Sequence, residues 1–366
     1  MMEQLAEELG DLSYDSLADF LHLLGEKILR ASNTHMQNNH PELAGHLMAC
    51  SKHLEQASSE VLRAWQTSPS HNHTITHNNR ATTMNQNSRL QRTQIADDTL
   101  AILQQGYYQA NVTDKISIQP QLEACVQNTR LYTPETLANL PNPTVIHHTV
   151  IEVINETTLQ GAKRLYDNRK SSRIAVLNFA SAKNAGGGFL GGSQAQEESL
   201  ARSSGLYASL QHCPAYYDYH RQQSRTLLYS DHMIYSPACP VFKQDDGAVL
   251  PELYYVDFIT SAAPNRGAIA RNEPQSLEHI ESVFAQRIRY VLQLAAHQGC
   301  DALVLGAWGC GVFGNLPTQV ANLFACELTG DGMFAQAFRH ISFSIPANPK
   351  ALENILAFRQ AFTTGN

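Results

Sequence analysis

The sequence has no apolar run approaching the 18 residues of a membrane-spanning helix, and no basic stretch followed by an apolar one opens it. Neither secretion nor membrane spanning is therefore expected. The cysteines are odd in number, widely scattered and without a CxxC pair, which argues against a disulfide framework or a cysteine-based zinc site. Reduced thiols in a cytoplasmic protein are expected instead. The seven cysteines are Cys50, Cys125, Cys213, Cys239, Cys300, Cys310 and Cys326.

Positive charge is also scarce. The formal net charge is −7, which argues against a generally basic nucleic-acid binder but leaves a local basic patch open. With 366 residues, 43% of them hydrophobic, the chain can bury the core of one large domain with a smaller appendage.

The first part of the chain differs in composition from the rest. Residues 1–66 carry two apolar runs at helical spacing, from Leu17 to Leu29 and from Leu43 to Trp65. We expect a small helical accessory region that packs on the main domain, self-associates or recruits a protein partner. Residues 67–92 have few large apolar side chains and predict a polar linker. No frame is evident there to hold its histidines around an ion, so no metal site is expected.

From Thr93 onwards, short apolar runs alternate with amphipathic stretches. Residues 107–143, with four prolines between 120 and 143, are expected to be irregular or weakly extended. The alternation predicts an α/β domain over residues 93–366, its sheet covered on both faces by helices. Strands are predicted at 145–154, 173–180, 254–263, 302–305 and 341–345, and helices at 95–105, 157–167, 275–298, 318–328 and 350–362.

The stretch 173–202 joins a buried strand, a glycine turn and two carboxylates. Three consecutive glycines, 186–188, suit a place where backbone approaches a ligand closely, because glycine adds no side chain and tolerates unusual dihedrals. A seven-residue spacer, 189–195, then leads to Glu197 and Glu198 at the start of a predicted helix. Carboxylates beside such a loop are placed for chemistry on the molecule that the loop binds.

This order of elements resembles the GGG-x(6–8)-QEE signature of poly(ADP-ribose) glycohydrolases. The phrases LNFASAKNAGGGF, QEESLARSS and LYSDHMIYSP are similar to the microbial branch of that family. The resemblance implies a macrodomain-like three-layer αβα sandwich with a mixed central sheet, preceded by the small helical N-terminal segment.

A second glycine loop, residues 306–315 (GAWGCGVFGN), follows the strand 302–305 and precedes a predicted helix. Backbone N–H groups in such a loop suit a diphosphate, although the lysine of a P-loop is missing. The loop resembles the G-x-W-G-C-G-x-F-G diphosphate loop of the same family. The resemblance implies that Phe313 lies against the distal ribose. Cys310 is expected to be a small buried residue rather than a nucleophile.

The resemblance implies hydrolysis of the ribose–ribose O-glycosidic bond of poly(ADP-ribose), releasing ADP-ribose, with no cofactor. Glu198 is expected to act as general acid and then base, and Glu197 to hold the ribose hydroxyls. A non-catalytic ADP-ribose-binding macrodomain stays open as an alternative. So does a hydrolase of mono-ADP-ribosylated protein, nucleic acid or a free ADP-ribose derivative.

The expected ADP-ribose-binding residues come from both loops and from the neighbouring strand and helix. Structural roles stay open for both asparagines and for the glutamine. The tyrosine-rich stretch 215–240 either walls the adenine side or, as we favour, belongs to the core. The residues are Asn178, Asn184, Gly186, Gly187, Gly188, Gln196, Gly309, Cys310, Gly311, Val312, Phe313 and Gly314.

Overall fold

The computed structural model describes residues 28, 32, 41–67, 75–111, 113–168, 173–223, 226–347 and 352–363. The chain divides into two compact units, residues 1–87 and 88–366. In the first unit, helix α1 (Pro41–Thr67) occupies the second predicted apolar run. The helix predicted from Leu17 to Leu29 lies, apart from Ile28, outside the described residues, as do His71 and His73 of the linker.

Helix α2 runs from Ile75 to Gln105 and begins some way before the predicted residue 95. Residues 75–92, predicted as a polar linker, are therefore helical. Neither proline nor glycine occurs between Ile75 and Gln105, so nothing in this polar stretch interrupts a helix. Within the described ranges, no helix combines the length and apolarity needed to cross a membrane.

A seven-stranded sheet in the order β3-β6-β7-β5-β8-β9-β4 forms the centre of the second unit. Strands β7, β5, β8, β9 and β4 are mutually parallel, whereas β6 runs antiparallel to both β7 and β3. The predicted mixed α/β sheet is confirmed. A separate antiparallel pair is formed by β1 (Tyr107–Gln109) and β2 (Lys115–Ser117). The sheet strands are β3 (Arg130–Tyr132), β4 (Val150–Ile154), β5 (Ile174–Phe179), β6 (Met233–Lys243), β7 (Val249–Ser261), β8 (Ala302–Leu305) and β9 (His340–Ser344).

Helices cover both faces of this sheet. Along β5, Ala175 and Leu177 join the core cluster under α10 to α12, while Ile174 and Val176 join the cluster on the other face. Burial on both faces explains why this strand reads as a continuous apolar run. The helices that follow α2 are α3 (Gln119–Asn128), α4 (Pro134–Ala138), α5 (Thr158–Asp167), α6 (Gln196–Ser203), α7 (Leu206–Gln211), α8 (Pro214–Asp218), α9 (Arg266–Asn272), α10 (Ile280–His297), α11 (Pro317–Leu328) and α12 (Leu352–Thr363).

The prediction that residues 107–143 are irregular or weakly extended is wrong for two helices of this segment, although its three short strands are extended. This segment holds β1, β2, α3, β3 and α4. Pro120 and Pro134 each stand in the first turn of a helix, where the missing N–H costs nothing because those donors have no intrahelical partner. These two prolines therefore begin helices instead of breaking them.

Two further boundaries differ from the predictions. The strand expected from residue 145 begins only at Val150, since Val145 and Ile146 are 60% and 75% exposed. The helix expected over 275–298 is divided into a 3₁₀ turn, Pro274–His279, and α10. Within the tyrosine-rich stretch, Tyr216, Tyr217 and Tyr235 are buried in the core, as favoured.

A substitution of Phe343 on β9 would test the packing between the sheet and α12. It is fully buried, with its ring centroid 5.4, 5.1 and 4.7 Å from those of Phe324, Phe358 and Phe362. We expect Phe343→Ala to lower the free energy of unfolding by about 3–5 kcal/mol in urea titrations, through lost contacts and a cavity. Leu356→Ala, on the exposed side of α12, should change it by only ~0.5 kcal/mol. Equal effects of the two substitutions would contradict this packing.

Candidate active site

A cleft of about 680 Å³ lies at the edge of the sheet where β5, β8 and β9 end. Because these strands are parallel, the chain leaves all of them at one edge, which places the two glycine loops side by side. The first loop, residues 180–188, and the first turn of α6 contribute to one part of the wall. The second loop, residues 306–315, and residues 344–346 after β9 contribute to another.

The backbone of the first loop turns at glycines, which no other residue could replace without strain. Gly186 and Gly187 have φ of +69° and +60°, in the left-handed region that favours glycine. A Cβ on Gly187 would lie 2.4 Å from Oε1 of Glu198. The triplet thus lets the backbone approach the second glutamate closely.

Glu198 is half-buried and lines the cleft. Its Oε1 accepts a hydrogen bond of 3.0 Å from the backbone N–H of Gly188. It also stands in the first turn of α6. The side chain is therefore held in one orientation toward the cleft.

Glu197 has a different environment although it adjoins Glu198. It is 3% exposed, and it accepts hydrogen bonds of 2.7 Å from Ser181 N–H and 3.3 Å from Nδ2 of Asn178. Burial raises the pKa of Glu197 to about 8, with the negative charge of Glu198 adding to the rise and the hydrogen bonds from Ser181 and Asn178 opposing it. Burial thus makes the protonated form, which can donate a hydrogen bond, more favourable for Glu197 than for an exposed glutamate.

Asn178 and Gln196 form hydrogen bonds that connect the end of β5 to β7 and to the start of α6. Asn178 is fully buried at the end of β5, and its Nδ2 also donates to Oγ1 of Thr260 on β7. The amide of Gln196 accepts from Phe179 N–H at 2.9 Å and donates to the Leu177 carbonyl at 2.7 Å, which continues the hydrogen bonding of the sheet beyond β8. Both side chains are used for protein structure, the role left open for them.

The second loop is fixed by a residue that the sequence did not indicate. Asn315 is buried, and its Nδ2 donates to the carbonyls of Gly309 at 3.1 Å and Pro264 at 2.8 Å. Gly309 and Gly314 have φ of +72° and +66°. Trp308 is fully buried and packs edge-on against a core phenylalanine. A polar residue between glycine and the apolar start of a helix was the available signal for Asn315.

The ring of Tyr229 lies beside Phe313, with their centroids 6.2 Å apart, and both residues line the cleft. Tyr229 has φ of +59°, an unusual conformation for a bulky residue. No spacing distinguished it from the other tyrosines of 215–240. Val312, by contrast, is 89% exposed.

Cys310 is half-buried where a buried residue was expected, and desolvation raises the pKa of its thiol to about 12. The un-ionised thiol fits the expectation that this residue is not a nucleophile. Within the described ranges, no group of three or more histidine, cysteine, aspartate or glutamate side chains is placed to hold a metal ion.

The predicted site residues thus come together at one edge of the sheet. Those that line the cleft are Asn184, Gln196, Glu197, Glu198, Gly309, Gly311, Val312 and Phe313. Those that adjoin this wall are Asn178, Gly186, Gly187, Gly188, Cys310 and Gly314.

A mixed αβα sheet with two glycine loops and a glutamate pair at one strand-end edge defines a macrodomain-like protein. The family described as the catalytic domain of microbial-type PARG, poly(ADP-ribose) glycohydrolase, matches residues 96–244. The structure of that enzyme from Thermomonospora curvata bound to the inhibitor ADP-HPD is 47% identical, with a TM-score of 0.68, over 74% of this chain and 98% of that one.

The Deinococcus radiodurans poly(ADP-ribose) glycohydrolase in complex with ADP-ribose is 43% identical, with a TM-score of 0.62, over 67% of this chain and 98% of that one. No curated protein sequence matches the chain. The chain belongs to the microbial-type poly(ADP-ribose) glycohydrolase family, and the predicted resemblance is confirmed.

The raised pKa of Glu197 predicts a pH-dependent stability. Between the ordinary value of 4.5 and about 8, native Glu197 keeps a proton that the unfolded chain has released, so the free energy of unfolding falls as pH rises. Glu197→Gln removes this dependence. We expect the stability of the variant relative to the wild type to rise across this window, with a slope approaching ~1.4 kcal/mol per pH unit. Urea titrations from pH 5 to pH 9 would measure it, and a constant difference would contradict the prediction.

Proposed function

We propose that this chain hydrolyses the ribose–ribose O-glycosidic bond of poly(ADP-ribose) and releases ADP-ribose. The observation that carries the proposal is the Glu198 carboxylate, held by Gly188 N–H at the wall of a cleft that both glycine loops line. A module that only binds ADP-ribose has no need of a carboxylate fixed in this way. Family membership supports the same reaction.

The proposed substrate position follows from the lining of the cleft. The diphosphate lies against residues 309–314, where glycines permit close approach of backbone N–H groups. The distal ribose lies beside Phe313 and Tyr229, within reach of the first loop. This places the bond to be cleaved next to Glu198. The Deinococcus radiodurans relative in complex with ADP-ribose supports a nucleotide ligand of this kind.

In the proposed reaction Glu198 transfers its proton to the leaving oxygen as the bond from that oxygen to the anomeric carbon breaks. The sugar passes through an oxocarbenium-like state, and the negative diphosphate stabilises its positive charge. Water then adds to the anomeric carbon and returns a proton to Glu198. Glu197, protonated by burial and held by Ser181 and Asn178, donates a hydrogen bond to a ribose hydroxyl and keeps the sugar in place.

Two wider expectations belong to the same proposal. Residues 1–66 contact a protein partner or a second copy of the chain, consistent with a first compact unit that ends at residue 87. The seven cysteines are free, which supports a reducing compartment such as the cytoplasm. Removing residues 1–66 and comparing activity on free polymer with activity on modified protein tests the first expectation; unchanged selectivity excludes substrate recruitment.

Glu198→Gln tests the proposed acid and base directly. We expect release of ADP-ribose from poly(ADP-ribose) to fall by at least ~100-fold, the usual scale of general acid–base catalysis, while ADP-ribose affinity measured by calorimetry is retained. Glu123→Gln, at an exposed position on α3, is the control and should keep full activity.

The wild type decides between the function classes. Binding of ADP-ribose without any release, from polymer or from mono-ADP-ribosylated protein, indicates a reading module. Release from mono-ADP-ribosylated protein alone would replace the polymer as the substrate. If the wild type neither binds ADP-ribose nor releases it, the proposal is refuted.

A matched pair of glycines tests the contact between the first loop and Glu198. Gly187→Ala places a Cβ 2.4 Å from Oε1 of Glu198, at a φ of +60°, so we expect kcat to fall by about 100-fold through displacement of the carboxylate. Gly45→Ala, in α1, adds a Cβ that meets nothing within 4 Å and should leave kcat unchanged. Equal kcat values for the two variants in the ADP-ribose release assay would show that this close approach is unimportant.

A further inference from the structure

Three arginines bind three successive carbonyls of the spacer between the glycine triplet and the glutamates. Nε of Arg89 donates to Gly191 at 2.9 Å, and Nε of Arg92 donates to Gly192 at 2.7 Å. Nη1 of Arg202 donates to the Ser193 carbonyl at 2.7 Å. We call these residues the arginine clamp. Arg89 and Arg92 come from α2, whereas Arg202 comes from the end of α6.

Helix α2 packs closely on the same spacer. Gly192 has φ of +74°, and a Cβ there would lie 2.5 Å from the Arg89 carbonyl oxygen. Phe189, at the start of the spacer, is fully buried in a small cluster with Ala96 of α2 and Ala201 of α6. Arg89 and Arg92 therefore bond a spacer that also packs against α2, the helix to which they belong.

One arginine of the clamp, Arg202, has a buried guanidinium, and burial of a positive charge is energetically unfavourable. Arg202 is 2% exposed, and burial, with the charge of Arg92 adding to it, lowers the pKa of its guanidinium to about 10. In the described part of the chain, its guanidinium hydrogen bonds go to the Ser193 carbonyl and the Gln194 side-chain oxygen. Burying a charged group requires such compensation, so the hydrogen bonds to the spacer are part of what keeps this cation in place.

Hydrogen bonds through Gly188 connect the spacer to the carboxylate of Glu198. The N–H groups of Gly191 and Ser193 donate to the Gly188 carbonyl at 3.1 and 3.2 Å. Gly188 N–H in turn holds Glu198 at 3.0 Å. The contacts run without a gap from α2, through the carbonyls of the spacer and Gly188, to Glu198.

We propose that Arg89 and Arg92 are positioning residues of this hydrolase, which hold the spacer so that Gly188 keeps Glu198 oriented toward the cleft. This inference rests on the proposed function. Both arginines precede residue 96, at which the match to the family model begins. Helix α2 thereby belongs to the working active site.

The test uses the full chain with Arg89→Met, Arg92→Met and the double variant, because methionine keeps much of the length but removes the donor. Gln94→Ala is the matched control, since Gln94 is exposed on the same helix and its side chain bonds Asp98 of that helix. Arg92→Lys keeps a cationic donor. The measurements are kcat and KM on poly(ADP-ribose), ADP-ribose affinity, the unfolding midpoint, and hydrogen exchange over residues 186–198.

We expect the double variant to lose about 100-fold in kcat, the scale of a reacting group displaced by about 1 Å. KM, ADP-ribose affinity and the unfolding midpoint should stay close to the wild type, while exchange over residues 186–198 becomes faster. Arg92→Lys should recover part of kcat relative to Arg92→Met, and Gln94→Ala should match the wild type.

A double variant with wild-type kcat overturns the inference. So does a parallel loss of kcat, affinity and unfolding midpoint, because that pattern is a general loss of structure. A wild type that releases no ADP-ribose refutes the proposed function instead. Hydrogen exchange then still decides whether the arginines fix the spacer, and unchanged exchange in the double variant overturns the clamp.

Discussion

The attachment of the first turn of α6 to the end of β5 is the constraint on which this site depends. Gln196 bonds the backbone of Leu177 and Phe179, and Glu197 bonds Ser181 N–H just beyond the strand. A buried carboxyl group and the open hydrogen-bonding positions at a strand end each need partners. Here Gln196 bonds the strand end, and Ser181 N–H bonds the carboxyl group of Glu197. These bonds bring the start of α6 to the sheet edge and place Glu198 at the cleft.

The same attachment divides the two neighbouring glutamates into separate roles. Glu197 is almost fully buried in the cleft wall, where burial raises its pKa to about 8, whereas Glu198 is half-buried and accepts a hydrogen bond from a glycine N–H. Two adjacent carboxylates cannot easily flank one glycosidic bond from opposite sides. The different environments of the two glutamates are consistent with the proposal, in which Glu197 binds the sugar and Glu198 exchanges the proton.

Distant segments decide how rigid this arrangement is. The second loop is bonded by Asn315 to the chain after β7, the first loop is backed by α6, and the spacer is bonded by arginines of α2. None of these contacts lies between neighbours in sequence. The candidate site is therefore a junction of several elements, held by hydrogen bonds between side chains and backbone groups, and the bonds from Arg89 and Arg92 connect it to a helix that begins in a stretch with linker-like composition.

The sequence by itself determined the glycine loops, the glutamate pair, the buried strand β5 and the α/β class, because each depends on local residue types and periodicity. It also carried the family resemblance. It did not indicate Tyr229, Asn315 or the arginines of α2, whose roles depend on partners between 6 and more than 100 residues away. It also did not show that Pro120 and Pro134 begin helices, because proline starts a helix from the first turn but breaks one from the interior. Only the tertiary structure decided these points, since it alone brings distant backbone carbonyls within hydrogen-bond distance of a side chain.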